Sequence, residues 1–279
     1  MPNSSHNSGK IASKFRELRS RREGALIAYL TGGDPDPESF LCNAQALIEG
    51  GTDILEVGIP FSDPIADGPV IQASSHRALA RGITPSKILG LTAKLSKFND
   101  IPIVILTYYN PVMAAGLDKF MKTAEESGVN GVVVPDLSVE ESGPLCQAGQ
   151  KQDIDTIFLA SPNTSPQRMK RILERSQGFL YLVSLFGVTG PRRELSPLAL
   201  DAVKVVRNLA KGTIPIAAGF GITRPEHVSA LLQSGADGAI VGSALVEIVS
   251  QNLDQPQAAA AKLRDAVSEL KRATLPKAA

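Results

Sequence analysis

The stretch Leu55-Glu-Val-Gly-Ile-Pro-Phe-Ser-Asp-Pro-Ile-Ala-Asp-Gly-Pro69 joins an apolar strand to a loop that carries two aspartates. The strand is apolar at nearly every position, as expected where both faces of a sheet are covered, so Glu56 is an ionisable group in a buried environment. Burial disfavours the charged form, and we expect a raised pKa for the Glu56 carboxyl. Asp63 and Asp67 follow in a loop that three prolines stiffen.

This arrangement favours acid and base chemistry. Two carboxyl groups in different environments can supply a proton donor and a proton acceptor at neutral pH. The alternative interpretation is a satisfied buried glutamate beside an aspartate that caps a helix. We favour the catalytic interpretation because ionisable groups at strand ends of α/β folds are often catalytic.

Outward from this stretch, the chain repeats one pattern, a β-rich run followed by a polar loop and a helix of 3.6-residue period. This pattern is typical of parallel βα units. Eight strands are predicted, at residues 26–31, 53–58, 101–108, 131–135, 156–160, 179–184, 214–219 and 238–241.

Helices are predicted between the strands, and several of them begin at a Ser or Thr followed by Pro, which is a start signal. A charged helix at 11–22 precedes the first strand. The others are predicted at 37–49, 72–81, 85–98, 117–127, 139–152, 166–175, 197–210, 225–234 and 258–272.

Eight βα units without a break in composition predict the α/β class and a single (β/α)8 TIM barrel with an extra N-terminal helix. We expect a flexible leader at 1–14 and one catalytic domain at 15–275. Chemistry in such barrels lies at the carboxyl ends of the strands. Polar groups of this sequence concentrate there, at Asp34, Glu56, Asp67, Tyr108, Asn110, Asp136, Ser161, Ser184 and Gly219.

Composition excludes several classes of function. The formal charge of +1, from 29 basic and 28 acidic residues, argues against nucleic acid or an acidic membrane as the partner. Cys42 and Cys146 lie in apolar helical patterns, which favours a reducing compartment over disulfides or zinc. The three histidines are too dispersed for a metal site, and no apolar run could span a bilayer. We expect a cytoplasmic protein, and a plastid stroma is also compatible with the sequence.

Two glycine-rich turns near the end of the chain predict a phosphate site. Ala218-Gly-Phe-Gly-Ile-Thr223 follows the seventh strand, and Val241-Gly-Ser-Ala-Leu245 follows the eighth and enters a short helix. Backbone N–H groups of glycines and the positive end of a helix bind anions. A phosphate monoester is therefore the expected class of substrate, with Gly187 to Gly190 of a lid-like loop after the sixth strand available to close over it.

The quoted stretch resembles the signature of the tryptophan synthase alpha chain family, and the resemblance extends over nearly the whole chain. Further matching motifs are Leu30-Thr-Gly-Gly-Asp-Pro35, Thr107-Tyr-Tyr-Asn-Pro111, Pro135-Asp-Leu137, Gly187-Val-Thr-Gly190, Gly219-Phe-Gly-Ile222 and Val241-Gly-Ser-Ala244. The resemblance implies a lyase that cleaves indole-3-glycerol phosphate to indole and glyceraldehyde 3-phosphate without a cofactor of its own. It also implies a pyridoxal-phosphate-dependent beta chain, joined in an α2β2 complex that channels indole.

The resemblance also implies roles for individual residues. Glu56 falls on the general acid and base, and Asp67 on the carboxylate that holds the indole N–H. Thr189 falls on the lid threonine that bonds the loop aspartate on closure. The expected substrate-binding residues are Tyr29, Tyr108, Tyr181, Thr189, Gly190, Gly219, Phe220, Gly221, Gly242 and Ser243, and no metal ligand is expected.

Three alternatives to this assignment stay open. Sugar-phosphate isomerase barrels share the phosphate cradle, but they place their acid and base on strands 1 and 5, where this chain shows no such pair. A noncatalytic barrel would serve as an allosteric subunit or scaffold, and the presence of both Glu56 and Asp67 argues against it. A lyase that releases indole without a beta chain is also compatible with the sequence.

Overall fold

A computed structural model of the protein describes residues 9–183 and 195–276. The strands in this part of the chain are β1 (Ala25–Thr31), β2 (Ile54–Gly58), β3 (Ile103–Leu106), β4 (Gly131–Val133), β5 (Asp155–Ile157), β6 (Leu159–Ala160), β7 (Leu180–Val183), β8 (Ile216–Gly219) and β9 (Gly238–Val241). They pair in parallel in the order β5-β4-β3-β2-β1-β9-β8-β7-β6. This succession, with helices between the strands, confirms the predicted (β/α)8 barrel.

The fifth predicted strand, 156–160, is divided in two at Phe158. β5 pairs with β4 on one side, and β6 pairs with β7 on the other. The Phe158 carbonyl accepts a hydrogen bond of 3.0 Å from the backbone N–H of Tyr181. The two short strands together occupy the position of one strand and close the barrel. The break at Phe158 lies where the chain changes its pairing from β4 to β7.

The helices within the described residues are α1 (Lys10–Ser20), α2 (Pro37–Glu49), α3 (Pro69–Ala80), α4 (Pro85–Phe98), α5 (Tyr109–Ala115), α6 (Leu117–Glu126), α7 (Gly143–Gln150), α8 (Pro166–Arg175), α9 (Pro197–Ala210), α10 (Pro225–Gln233), α11 (Ser243–Ser250) and α12 (Pro256–Arg272). Side chains of Thr84, Ser165 and Ser196 accept hydrogen bonds from the first turns of α4, α8 and α9. The Ser/Thr-Pro start signals are therefore confirmed at these three helices.

Two helices differ from the sequence expectation. Helix α5 was not predicted, because its amino end is capped from a distant part of the chain: Asp136 accepts a hydrogen bond of 2.9 Å from the N–H of Tyr109. Helix α7 begins at Gly143 instead of residue 139. The Ser142 hydroxyl donates to the carbonyl of Val139 at 2.8 Å, and this turn replaces the first helical turn.

Helix α1 closes the amino-terminal end of the barrel. Its side chains Ile11, Phe15 and Leu18 are buried in the same core as the inward-facing residues of the strands, and the rings of Phe15 and Phe179 are 5.9 Å apart. Since α1 begins at Lys10, residues 10–14 are helical, and the leader expected at 1–14 was drawn too long. Residues 1–8 lie outside the described residues.

Inward and outward positions alternate along each strand. Outward-facing residues such as Leu55 and Val57 of β2 belong to the larger core against the helices, whereas Ile54 belongs to the barrel interior with α1. Glu56, two residues after Ile54, continues the inward face toward the carboxyl end. The amino-terminal half of the interior is therefore apolar, and the carboxyl-terminal half holds the polar groups.

Candidate active site

A cavity of about 150 Å³ opens at the carboxyl ends of the strands. It brings together residues from opposite halves of the sequence, from β1 and the loop after β2 to the turns after β8 and β9. The lining residues are Tyr29, Ala66, Asp67, Gly68, Ile71, Leu106, Tyr181, Gly219, Gly221, Ile222, Ile240, Gly242 and Ser243.

Glu56 lies in the barrel wall next to this cavity and is fully buried, with 0% of its surface exposed. It stands between Tyr29 of β1 and Val104 of β3 in the strand register. Neither carboxyl oxygen has a hydrogen-bond partner of standard geometry among the described residues. A buried carboxyl without partners favours its neutral form.

The pKa of Glu56 is accordingly raised to about 8. Burial is the main cause, and the nearby negative charge of Asp67 adds to it, whereas the hydroxyl of Tyr181 partly opposes the shift. The raised pKa expected from the sequence is therefore confirmed. At neutral pH Glu56 is a proton donor.

Asp67 is held at the rim of the same cavity by its loop. Its N–H donates to the carbonyl of Pro64 at 3.0 Å, and its carbonyl accepts from Gln72 Nε2 at 2.9 Å. The Tyr108 hydroxyl accepts from the N–H of Ala66 at 3.0 Å. Burial raises the pKa of Asp67 to about 6, and the Tyr108 hydroxyl partly opposes this shift. Asp67 is therefore the stronger acid of the pair and is largely ionised at neutral pH.

The glycine-rich side of the cavity fits an anion. Gly242 precedes α11 without any side-chain cap, so the first N–H groups of this helix are not used by a capping side chain. Gly221 has a φ of +69°, and a Cβ at this position would meet no atom within 4 Å. Ser243 lines the same end and adds a hydroxyl donor. Backbone amides without side chains in front of them can approach a phosphate closely.

The structure brings most of the predicted site residues together. Tyr29, Tyr181, Gly219, Gly221, Gly242 and Ser243 line the cavity with Asp67. Tyr108 stands behind Asp67, where its ring stacks on Phe61 with centroids 5.1 Å apart. Phe220 is not among the lining residues and packs at the margin of the helix-facing core. Thr189 and Gly190 lie outside the described residues.

Several other polar residues at strand ends have structural partners. Asp34 accepts two hydrogen bonds from Arg77, at 2.9 and 2.8 Å, and Asp136 caps α5. The N–H of Ser161 donates to Thr164 Oγ1 at 3.0 Å. Asp63, the other aspartate of the loop after β2, is exposed and bonds to its neighbour Ser62. These residues build the rim of the barrel around the site.

The sequence analysis missed two kinds of contributor. Ile71, Ile222 and Ile240 form apolar walls of the cavity. Thr31 and Ser74 carry buried hydroxyl groups that reach the cavity only through Tyr29. The alternation of inward positions on β9 could have identified Ile240, two residues before Gly242, but no local pattern connects α3 with β1.

Two larger cavities lie away from Glu56 and Asp67. One of about 680 Å³ lies at the amino-terminal end, between α1 and the end of α12, and another of about 490 Å³ lies between the loops after β4 and β6. Within residues 9–183 and 195–276, no group of three or more His, Cys, Asp or Glu side chains could hold a metal ion. No helix of the same segments is both long and apolar enough to cross a bilayer.

Comparisons with known proteins agree with the geometry. A family profile described as "Tryptophan synthase alpha chain" matches residues 15–275. The tryptophan synthase alpha chain of Methanoregula boonei is 46% identical over 265 residues, covering 95% of this chain and 98% of the relative. That of Gloeobacter violaceus is 43% identical over 270 residues, covering 96% of each chain.

Solved structures give the same result. A structure of Mycobacterium tuberculosis tryptophan synthase superposes with a TM-score of 0.87 at 33% identity, covering 96% of this chain and 99% of that one. A chain of the tryptophan synthase complex from Pyrococcus furiosus has a TM-score of 0.82 at 39% identity, covering 89% of this chain and 98% of that one.

Proposed function

The chain belongs to the tryptophan synthase alpha chain family, and from this premise we propose that Glu56 and Asp67 carry out its reaction. The reaction is the cleavage of indole-3-glycerol phosphate to indole and glyceraldehyde 3-phosphate, so the protein is a carbon–carbon lyase of tryptophan biosynthesis. The observation that carries the residue assignment is the presence of two carboxyl groups at one cavity with pKa values of about 8 and about 6.

The first step is protonation of the ring. The neutral Glu56 carboxyl donates its proton to C3 of the indole, which becomes tetrahedral, and the ring nitrogen acquires positive charge. The ionised Asp67 accepts the hydrogen bond of the ring N–H and stabilises this charge. In a site that excludes water, such a fixed anion is worth far more than it is in solution.

The second step breaks the carbon–carbon bond. The Glu56 carboxylate, formed in the first step, removes the proton of the glycerol hydroxyl next to the ring. That carbon becomes the aldehyde of glyceraldehyde 3-phosphate, and the electrons of the broken bond restore the aromatic indole. Glu56 ends the cycle protonated, so the same group serves as acid and then as base.

The phosphate is assigned to the glycine-rich side of the cavity. Gly219, Gly221, Gly242 and Ser243 would hold it with backbone N–H groups and the amino end of α11. Tethering the phosphate there would place the ring toward Tyr29, Tyr181 and Asp67. Tyr108 and Phe220 do not line the cavity and would support the residues that do. We propose that Thr189 and Gly190 complete the substrate site, as the family resemblance implies.

The direct test is release of indole by the purified chain. Indole-3-glycerol phosphate is incubated with the protein, and indole and glyceraldehyde 3-phosphate are quantified together. Equal amounts of the two products are expected. Isomerisation of an aminoaldose phosphate without indole release would support the isomerase alternative instead.

The rate should have a bell-shaped pH dependence. Asp67 must be ionised, so kcat/KM rises as the pH increases through about 6. Glu56 must be protonated, so kcat/KM falls as the pH increases through about 8. Because the two groups interact, these limbs belong to the pair. A rate that stays constant from pH 5 to 9 would contradict the assignment.

Placing a negative charge in the phosphate cradle should weaken substrate binding. Gly221→Asp is expected to raise KM by at least about tenfold, since like charges a few ångströms apart repel by several kcal/mol. Gly221→Asn is the matched control, because Asn and Asp tolerate the positive φ equally and differ in charge. Equal KM values for the two variants would contradict a phosphate site here.

We assign to the chain a beta-chain partner, in an α2β2 complex that receives indole. The tryptophan synthase complex of Pyrococcus furiosus supports an assembly of this kind. The chain itself offers exposed apolar residues at the mouth of the barrel: Ile65, 79% exposed, after β2, and Met113, 51% exposed, after β3. We expect the chain to need no cofactor, with pyridoxal phosphate in the partner, and to work in the cytoplasm.

Co-purification with a tagged beta chain, followed by sedimentation, tests this assembly. A complex of two alpha and two beta chains is expected, and it should weaken when Ile65 and Met113 are changed to Ser. Indole release at the full rate by a chain that binds no beta chain would support the stand-alone alternative.

A further inference from the structure

The side chain of Tyr108 ties the loop after β2 to the end of β3. Its hydroxyl oxygen accepts a hydrogen bond of 3.0 Å from the N–H of Ala66. Its ring stacks on Phe61, with ring centroids 5.1 Å apart and ring planes inclined by 28°. Tyr108 therefore contacts the loop near its beginning and again at the residue that precedes Asp67.

Tyr108 itself is held rigidly. On one side of it, the N–H of Thr107 donates to the carbonyl of Val133 at 3.0 Å, which continues the ladder between β3 and β4. On the other side, the N–H of Tyr109 donates to Asp136 at 2.9 Å. Only 2% of the surface of Tyr108 is exposed. A buried side chain on a fixed backbone can hold a loop residue in a precise position.

The hydroxyl of Tyr108 has a proton to donate as well as an oxygen that accepts. An amide N–H can only donate, so the bond from Ala66 uses the oxygen and leaves the phenolic proton for a second partner. The side chain of Asp67 is that partner: burial raises the pKa of its carboxyl, and the hydroxyl of Tyr108 partly lowers it. An effect of this sign indicates donation to the charged carboxylate.

Tyr108 keeps this proton over the pH range of the reaction. Burial raises the pKa of its phenol, and the negative charges of Asp67 and Asp136 raise it further, whereas the N–H of Ala66 partly opposes the shift. The phenol is therefore a neutral donor at every pH at which Asp67 titrates.

The other groups that face Asp67 carry no charge near pH 6. Three titratable side chains interact with its charge, namely Glu56 on β2, Tyr29 on β1 and Tyr181 on β7. Glu56 has a pKa of about 8, and burial raises the pKa of both phenols well above the usual value. Asp63 of the same loop is exposed to solvent. The acid limb of the pH profile should therefore report Asp67 and the group that donates to it.

We propose that Tyr108 is a positioning residue for the lyase reaction: its hydroxyl holds the Asp67 carboxylate in the ionised form and in the orientation that faces the indole nitrogen. The inference rests on the proposed role of Asp67. Tyr108 does not line the cavity, so it can act on the carboxylate without occupying the space of the substrate.

Tyr108→Phe tests the proposal, because phenylalanine keeps the ring on Phe61 and removes only the hydroxyl. Loss of the donor raises the pKa of Asp67 above about 6. Since activity requires ionised Asp67, the acid limb of kcat/KM should move to higher pH by about one unit, a tenfold change in the ionisation constant. The alkaline limb, which belongs mainly to Glu56, should stay near pH 8. The kcat should fall about tenfold, because the carboxylate loses its fixed orientation.

Tyr109→Phe is the matched control. It removes a phenolic hydroxyl from the next residue of the chain, whose side chain packs against the helix-facing core. The backbone N–H that Asp136 accepts is unchanged by the substitution. This variant should keep the wild-type kcat and both limbs of the pH profile. A shift of its acid limb equal to that of Tyr108→Phe would contradict the proposal.

Asp67→Asn is measured alone and together with Tyr108→Phe, so that two failures can be told apart. If Asp67→Asn loses the acid limb while Tyr108→Phe keeps the wild-type limb, Tyr108 has only a packing role and this inference is wrong. If Asp67→Asn keeps the wild-type kcat and acid limb, the proposed function of Asp67 fails together with the inference.

The double variant tests whether Tyr108 acts through Asp67. In the Asp67→Asn background, Tyr108→Phe should lower kcat much less than it does in the wild type, since the two residues serve one interaction. An equal reduction in both backgrounds would show that the hydroxyl acts on the loop alone and would overturn the proposal.

Discussion

Glu56→Gln is expected to lower kcat by about 10³-fold or more, equivalent to a barrier increase of about 4 kcal/mol. Glutamine matches the shape of glutamate but has no proton of suitable acidity. General acid and base catalysis each contribute about 10² to 10⁴-fold, and Glu56 serves in both steps. Turnover within about tenfold of the wild type would refute its role.

The same variant should keep its fold and its phosphate site. Glu56 has no hydrogen-bond partner among the described residues, so the substitution breaks no bond there. The pKa of Glu56 is raised in the folded protein, so the stability of the folded protein falls as the pH rises from 4.5 to about 8, because the unfolded chain ionises over this range while the buried carboxyl stays protonated. Glu56→Gln should therefore unfold at a higher temperature than the wild type at pH 9 and at a similar temperature below pH 4. Unchanged affinity for glycerol phosphate completes the control.

Asp67→Asn is expected to lower kcat by about 10² to 10³-fold with a smaller effect on KM. The amide keeps the hydrogen-bonding shape but removes the negative charge that opposes the cationic ring intermediate. Removal of one preorganised electrostatic group from an active site costs about 3 to 4 kcal/mol. The acid limb of the pH profile near 6 should disappear as well, since the group that titrates there is absent.

Asp63→Asn is the matched control for this prediction. Asp63 lies in the same loop, but it is exposed and bonds to Ser62 instead of facing the cavity. This variant should keep the wild-type rate and both limbs in the isolated chain. Equal losses for the two variants would indicate a general effect on the loop and would contradict a specific role of Asp67.

The architecture and the acid could be predicted because their signals are local. A strand without polar positions indicates burial on both faces, and a glutamate within it must have a perturbed pKa. The glycines after β8 and β9 are equally readable, since their spacing follows from the βα repeat. These features need no knowledge of which side chains meet in space.

The remaining features depend on contacts between distant segments. The cap of α5 comes from Asp136, 27 residues after Tyr109, and a hydrogen bond between buried hydroxyl groups joins Thr31 to Ser74 across 43 residues. The division of the fifth strand at Phe158 reflects pairing with two different neighbours. Sequence periodicity describes one element at a time and therefore carries no signal for such pairs.

Helix α1 gives the barrel a blind end. Phe15 and its neighbours on this helix fill the amino-terminal end of the barrel interior. Indole formed at Glu56 and Asp67 therefore cannot leave through that end. Among the described residues, the cavity opens at the carboxyl ends of the strands, so the substrate enters and the products leave at that end. A partner subunit that covered the carboxyl end of the barrel would receive indole directly, even if its affinity for indole in free solution were low.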